Sequence, residues 1–474
     1  MPAKIKDIES IRIPLLGNPL NRGTDASKDQ RFVNGFFINV QNKVTGKETY
    51  FFTKRPGAAR RIQPSGAAGV GRGIYSWKGS IYTVIGTKIY KDTTDLGVTL
   101  TTSTGMCGIT ETSYAAGTQY LGINDGVKLF LVDTAGTVST ITLNFPTPNT
   151  TDLIYLDTYF FVCKADGTIL NCNSNDPPTW DTTKTITMNM FNGQGVGLAH
   201  QNSFLIAFSD KSIQGFVDNA NSSGSPLVNV ESVAQQVGCA SQNSIVQDES
   251  LVTWVGNSYT GGPSVWMLNG VTNLEEIADS ELRLLLTAEG TSITASKGNL
   301  IRIAGKKFYL LRLSAANRTF VYDYVLKIWN EWESAAGGTA WPFVDFYQHS
   351  YGLIALHDSD GYVYDISTTT YQDNSVNFTV LARFGRVDLE TDDRKFVNSQ
   401  TLIGDKQSTT TNVSFQYSDD DYVTLSSART FNMALVRPYL SGGGSFIRRA
   451  FQLSYAGSNP LRIQALQLRF KLQS

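Results

Sequence analysis

The chain has 474 residues, more than one hydrophobic core usually organises, so a large domain and at least one smaller one are expected. Forty Lys and Arg against 41 Asp and Glu leave a net charge of -1, which excludes the global positive field of a dedicated duplex binder. Thr, Val, Ile, Tyr and Phe are plentiful, 42 glycines punctuate them, and no long stretch runs at helical spacing, so an all-β fold is expected.

The opening MPAKIKDIESIRIPLLGNPLNRG carries charges throughout and builds no apolar signal core. No later run approaches the ~20 apolar residues of a spanning helix, so the expectation is a chain made in the host cytoplasm with no spanning membrane segment. Strand pairs are expected at Arg31 to Val40 and Glu48 to Thr53, ending in Lys54-Arg55-Pro56-Gly57. Residues 1–65 are assigned to N-terminal strands that pack with the C-terminal region, the alternative being that they close a ring of sheets. The run Gly66-Ala67-Ala68-Gly69-Val70-Gly71-Arg72-Gly73 lacks the Lys and following helix of a phosphate loop and reads as a flexible joint.

From here a unit recurs: a short apolar strand, a Gly, Asn or Asp turn, and a second apolar strand. The copies are Trp77 to Tyr90, Tyr120 to Val132, Tyr159 to Ile169, Ser203 to Phe216, Leu251 to Leu268, Lys307 to Tyr322 and Tyr351 to Tyr364. Marked at Ile81, Tyr120, Tyr159, Phe204, Leu251, Phe308 and Leu353, they are spaced by 39, 39, 45, 47, 57 and 45 residues. A blade of roughly 40 to 50 residues is a four-stranded sheet that buries both faces only against its neighbours. Residues 66–374 are therefore assigned to a β-propeller of six or seven blades. Unrelated meanders in stacked sandwiches would also give hairpins, but not at a near-regular interval.

After Asp373 long alternating strands appear at Asn377 to Glu390, Thr410 to Ser418, Phe446 to Tyr455 and Leu461 to Leu472, with a Gly442-Gly443-Gly444 turn among them. Residues 375–474 are read as a β-sandwich-like platform domain, joined by the N-terminal strands.

Chemistry-bearing patterns are sparse. Cys107, Cys163, Cys172 and Cys239 show no CxxC spacing and read as reduced core or strand residues. His200, His349 and His357 form no metal-ligand spacing, and His357-Asp358-Ser359-Asp360-Gly361 lacks the closing Glu of a calcium loop and reads as a hairpin turn. Ser174 to Trp180 and Ser418 to Thr424 loosely echo the Asp-box turn of sialidases, which is structural even there. A propeller glycosidase would need two converging carboxylates, and none is conspicuously paired. The reading is of a non-enzyme with no catalytic, metal or cofactor residues. Lys54, Arg55, Arg60 and Arg61, with Arg448 and Arg449, form short basic clusters suited to interface or phosphate contacts.

Three N-terminal runs in order, Ile13-Pro14-Leu15-Leu16-Gly17, Gln30-Arg31-Phe32-Val33-Asn34 and Thr53-Lys54-Arg55-Pro56-Gly57, resemble podophage tail hub proteins, also called nozzle or packaged-DNA stabilisation proteins of the P22-like family. The C-terminal end is similar too, at Ser418-Asp419-Asp420 and Ser445 to Phe451, although Asp421-Tyr422 stands where the family's turn continues with Gly and Trp. The resemblance implies a virion structural protein of a short tail, a ring of identical subunits, commonly a hexamer. That ring docks beneath the portal and the tail adaptor protein, continues the DNA channel and holds packaged DNA until ejection. Tail fibres or spikes and a terminal knob or needle attach nearby. A conduit should not bind DNA tightly, since each phosphate contact adds affinity, so an acidic or neutral lumen is expected, with Asp419, Asp420 and Asp421 as channel-lining candidates. The alternative function is a receptor- or glycan-binding propeller module.

Overall fold

The computed structural model describes residues 9–16, 30–41, 48–64, 66–67, 69–112, 118–258, 260–349 and 352–473. Gly17, Ala68 and Tyr351, which belong to runs singled out in the sequence, lie outside them. The chain divides into two compact units, one of residues 60–328 and 342–366, the other of residues 1–59, 329–341 and 367–474.

The larger unit is a β-propeller. Six of its sheets are self-contained and four-stranded, and a further meander, Lys297–Ile303, Lys306–Leu313 and Arg318–Asp323, occupies a seventh place. The innermost strands form one closed ring, each packing on the next: Gly71–Trp77, Gly108–Glu111, Ile154–Leu156, Gly195–Gln201, Val246–Asp248, Lys297–Ile303 and Phe343–His349, the last returning to the first. Each recurring hairpin of the sequence is the middle strand pair of one blade, from Ser80–Ile85 with Lys88–Lys91 to Gly352–His357 with Val363–Ser367.

The hairpins read as nearly continuous apolar runs because both faces of each blade are covered. In the first blade Tyr82, Val84 and Ile89 pack toward Leu121, Ile123, Phe130 and Val132 of the second. The alternate residues Ile81, Ile85 and Tyr90 pack toward Val344, Ile354 and Leu356 of the seventh. Leu129 and Leu131 of the second blade face Phe160, Val162 and Trp180 of the third. The core is thus a set of apolar layers between blades, and the period of 2 along each strand decides which layer a side chain enters.

Ring closure comes from the N-terminal side. The strand Gly57–Ile62 is the outer strand of the seventh blade, where Arg61 meets Asp365 at 2.8 Å and Arg60 Nε donates to the Tyr364 hydroxyl at 3.2 Å. Between the fifth and sixth blades stands a helix, Ser280–Glu289, capped by Asp279, whose side chain accepts from the Leu282 N–H. With the 3-10 turn Gly290–Ala295 it accounts for the widest repeat interval.

The smaller unit contains two sheets. In one, Gly35–Gln41, Glu48–Lys54, Arg462–Gln473, Arg394–Gly404 and Tyr439–Ser441 are neighbours in that order, with Glu9–Pro14 also on Arg462–Gln473. In the other, Arg31–Val33, Val380–Arg383, Ala450–Tyr455, Asn412–Ser418 and Arg429–Asn432 follow one another. Aromatic side chains fill the space between them: Phe32 lies 4.8 Å from Phe37 and 5.2 Å from Phe52 between ring centroids, and Phe446 meets Phe451 edge-on. The sequence-drawn boundaries at 65/66 and 374/375 give way to 59/60 and 366/367, and residues 329–341, read as propeller from sequence, belong to this unit.

Candidate functional site

Inner strands must approach one another closely at the axis of a propeller, and glycine permits it. A Cβ on Gly108 would stand 2.1 Å from the Thr151 carbonyl oxygen, and one on Gly71 would stand 2.4 Å from that of His357. Carboxylates then bind neighbouring blades across the gap. Asp152, before the third blade, accepts from the Leu198 N–H of the fourth at 2.7 Å and from Gln242 Nε2 at 3.0 Å. Asp345, in the seventh, accepts from the Ile74 N–H of the first at 2.8 Å. The same device appears beside the axis, where the Gln247 side chain accepts from the His200 N–H at 2.7 Å and Asn299 donates to the Val344 carbonyl at 3.2 Å.

These residues surround an axial cavity of about 330 Å³, lined by Tyr75, Asp152, Gln242, Lys297, Asp345 and Tyr347 among others. Withdrawal from water pushes Asp152 well above the usual carboxylate range and Asp345 up to about 6. Burial also pushes the Tyr75 pKa far up; its ring lies tilted, 4.7 Å from that of Tyr347, and its hydroxyl donates to Glu111 at 3.3 Å. Both carboxylates are committed to backbone N–H groups, so the arrangement ties blades together rather than presenting an acid and base pair to a substrate. Duplex DNA does not fit a cavity of this size.

The basic residues singled out from sequence separate into three kinds. Arg55 is buried: its guanidinium forks onto Asp373 at 2.9 and 2.6 Å, donates to Asn34 and lies 3.8 Å over the Phe378 ring. Lys54 is buried beside it, donating to the Gly457 carbonyl, with its ammonium 4.3 Å over Phe378 and its pKa lowered to about 8 by burial. Arg449 is buried in the same manner, forked onto Asp419 at 2.6 and 2.8 Å and stacked 3.7 Å over Tyr417. As phosphate contacts these three are corrected, since their donors face protein acceptors and not solvent. Arg60 and Arg61 are paired with Asp360 and Asp365 near the surface, and Arg448 is exposed.

The acidic run is likewise not three free carboxylates on one face. Asp419 neutralises Arg449, and Asp421 stands 3.5 Å from Arg386. Asp420 accepts from the Thr424 hydroxyl and N–H at 2.6 and 2.9 Å and from Ser418 Oγ at 2.7 Å, bonds that hold its carboxyl down at about 2. The run thus builds a turn flanked by two ion pairs, and a channel-lining role for Asp419, Asp420 and Asp421 stays an expectation from the sequence. Sequence reasoning missed the axial residues; the one signal that could have found any of them is Asp345 inside the otherwise apolar Phe343-Val344-Asp345-Phe346-Tyr347. Asp152 and Gln242 carry no local signal.

Among curated proteins none matches the chain. Among solved structures it is similar to BBS1N in its complex with ARL6DN, at 13% identity over 66% of this chain and 98% of that one, with a TM-score of 0.40. It is similar also to virginiamycin B lyase from Staphylococcus aureus, at 10% identity, 65% and 98% coverage and a TM-score of 0.42. The WD40 propeller domain of Doa1 gives 11% identity, 66% and 97% coverage and 0.41. Likenesses this weak say nothing of activity. Residues 16–371, which take in the propeller repeats and the Gln30 to Asn34 and Thr53 to Gly57 runs, match the family described as Bacteriophage P22 Gp10, beta-propeller. The chain belongs to that P22 Gp10 propeller family of phage structural proteins.

Proposed function

We propose that the protein is the nozzle or hub subunit of a short phage tail. Identical copies, six in number, form a ring below the portal and adaptor that continues the DNA channel, retains packaged DNA and carries fibres or spikes and a terminal knob or needle. The observation that carries this reading is the family match across residues 16–371. The physical character of the chain supports it. Blades locked by apolar layers and by carboxylate bonds between inner strands make a stiff wall element, and the net charge of -1 gives passing DNA no strong attraction. Heterologous contacts between copies close into a ring when the rotation fits. The carboxylates nearest the axis are already engaged as acceptors, which favours this reading over a propeller hydrolase.

Particles assembled without the chain test the retention role. Their DNA is expected to become accessible to added nuclease and to regain protection when the purified protein is supplied. Equal protection with and without it would remove retention from the proposal.

A further inference from the structure

A smaller cavity, of about 150 Å³, lies between the sixth and seventh blades, lined by Lys297, Arg312, Ser314, Asn317, Val344 and Asp358 among others. Its charges are arranged in an unusual way. Lys297 and Arg312 are direct partners in the register of the antiparallel strands Lys297–Ile303 and Lys306–Leu313, so the two cations project to the same side of the sheet. Like charges directly opposite on neighbouring strands destabilise a sheet. Burial first, then Arg312, lowers the Lys297 pKa from its ordinary range, and the carboxylates of Asp345 and Asp358 only partly offset that lowering.

The acidic groups nearby answer only part of that charge. Asp358 binds Arg312 Nη2 at 2.8 Å. Asp345 is held by the N–H groups of Ile74 and Phe346 at 2.8 and 2.9 Å, and Glu289 by those of Ala315 and Ala316 at 2.8 and 2.6 Å. Arg312 Nη1 is buried with no acceptor, and among the described residues no hydrogen bond or ion pair is made by the Lys297 ammonium. Lys297 is half-buried, whereas Arg312 Nη1 is a buried charged donor left unmet, which is costly. A cavity of this volume holds only a few waters at about 30 Å³ each and lies below the ~300 Å³ at which pockets for larger organic ligands begin.

We propose that this cavity is a binding site for one small inorganic oxyanion, of the size of phosphate or sulfate, held between the Lys297 ammonium and Arg312 Nη1. Both cations belong to the sixth blade, so the bound anion bridges its two strands and offsets their cross-strand repulsion. A ligand that binds only the folded chain raises its stability by mass action.

The test is titration of the full-length chain with sodium phosphate by calorimetry, at ionic strength held constant with chloride, with phosphorus NMR line broadening as a second readout. Wild type is expected to show saturable one-to-one binding and a thermal midpoint that rises with phosphate. Lys297→Met is expected to bind at least tenfold more weakly and to lose most of that rise. This variant breaks no ion pair among the described residues, and near-UV circular dichroism checks its packing. Arg312→Lys, which keeps the charge and alters the donor geometry, is expected to weaken binding as well. No saturable binding by wild type, as with a cavity filled by water alone, overturns the proposal. So does equal affinity in wild type and Lys297→Met.

Discussion

Arg55 and Arg61 stand six positions apart in one basic stretch, and folding makes opposite things of them. Arg55 is enclosed, forked onto Asp373 and covered by Phe378, whereas Arg61 makes a single contact with Asp365 at the surface. Arg55→Met leaves Asp373 without its partner and is expected to cost about 3–5 kcal/mol in denaturant unfolding, as for other broken buried pairs. Arg55→Lys should recover little of it, because an ammonium cannot reproduce the fork. Arg61→Ala is expected to change stability by less than about 1 kcal/mol in the same experiment. Nothing local to the sequence distinguishes the two arginines. Their acceptors lie 318 and 304 residues further on, and only the fold decides which guanidinium is covered. The same holds for Arg449, whose buried fork on Asp419 looks from sequence like half of a solvated basic pair.

Strand pairs were far more legible than single side chains. Each blade's middle hairpin is local, so its apolar runs and its turn stand next to one another in the chain, and burial on both faces keeps polar residues out. Strands whose partners are distant were read less well. Arg394–Gly404 begins with Arg394, Lys395 and Asn398, and its pairing with Arg462–Gln473 is invisible without the fold. Asn377 to Glu390, expected as one long strand, contributes Val380–Arg383 and an isolated bridge from Val387 to Arg449, before Leu389 and Glu390 turn the chain at positive φ. The helix Ser280–Glu289 was missed although Asp279 caps it and Leu282 and Leu286 share its buried face, since a single short helix is easily absorbed into a β pattern.

Two predictions belong to the inner strands. Gly108→Ala places a methyl group against the backbone of Thr151, which cannot rotate away, and is expected to cost about 1–3 kcal/mol in denaturant unfolding. Asp345 holds its proton up to about 6 in the folded chain, against an ordinary value of 3.8. Its favourable contribution is therefore complete below the ordinary value and is lost as the pH rises through about 6. Asp345→Asn should flatten that part of the decline in stability between pH 4 and 7, and an unchanged slope would show that another group governs it.

At the scale of the whole molecule, the repeat was legible because a propeller writes its architecture as an interval. The departures from that interval are also structural: the helix and 3-10 turn lengthen the step from the fifth blade to the sixth, and residues 329–341 leave the propeller between the sixth and seventh. The N-terminal strand in the seventh blade makes the ring of blades depend on residues far apart in the chain, so the propeller should unfold as one cooperative unit once that closure is lost. What a single chain does not write is its assembly. The most direct measurement is therefore the mass and symmetry of the purified protein, alone and mixed with the adaptor of its own phage, by mass photometry and negative-stain imaging. A nozzle subunit is expected to give a closed ring of six copies, formed by the protein itself or on the adaptor. A monomer that stays a monomer with the adaptor present would contradict that expectation.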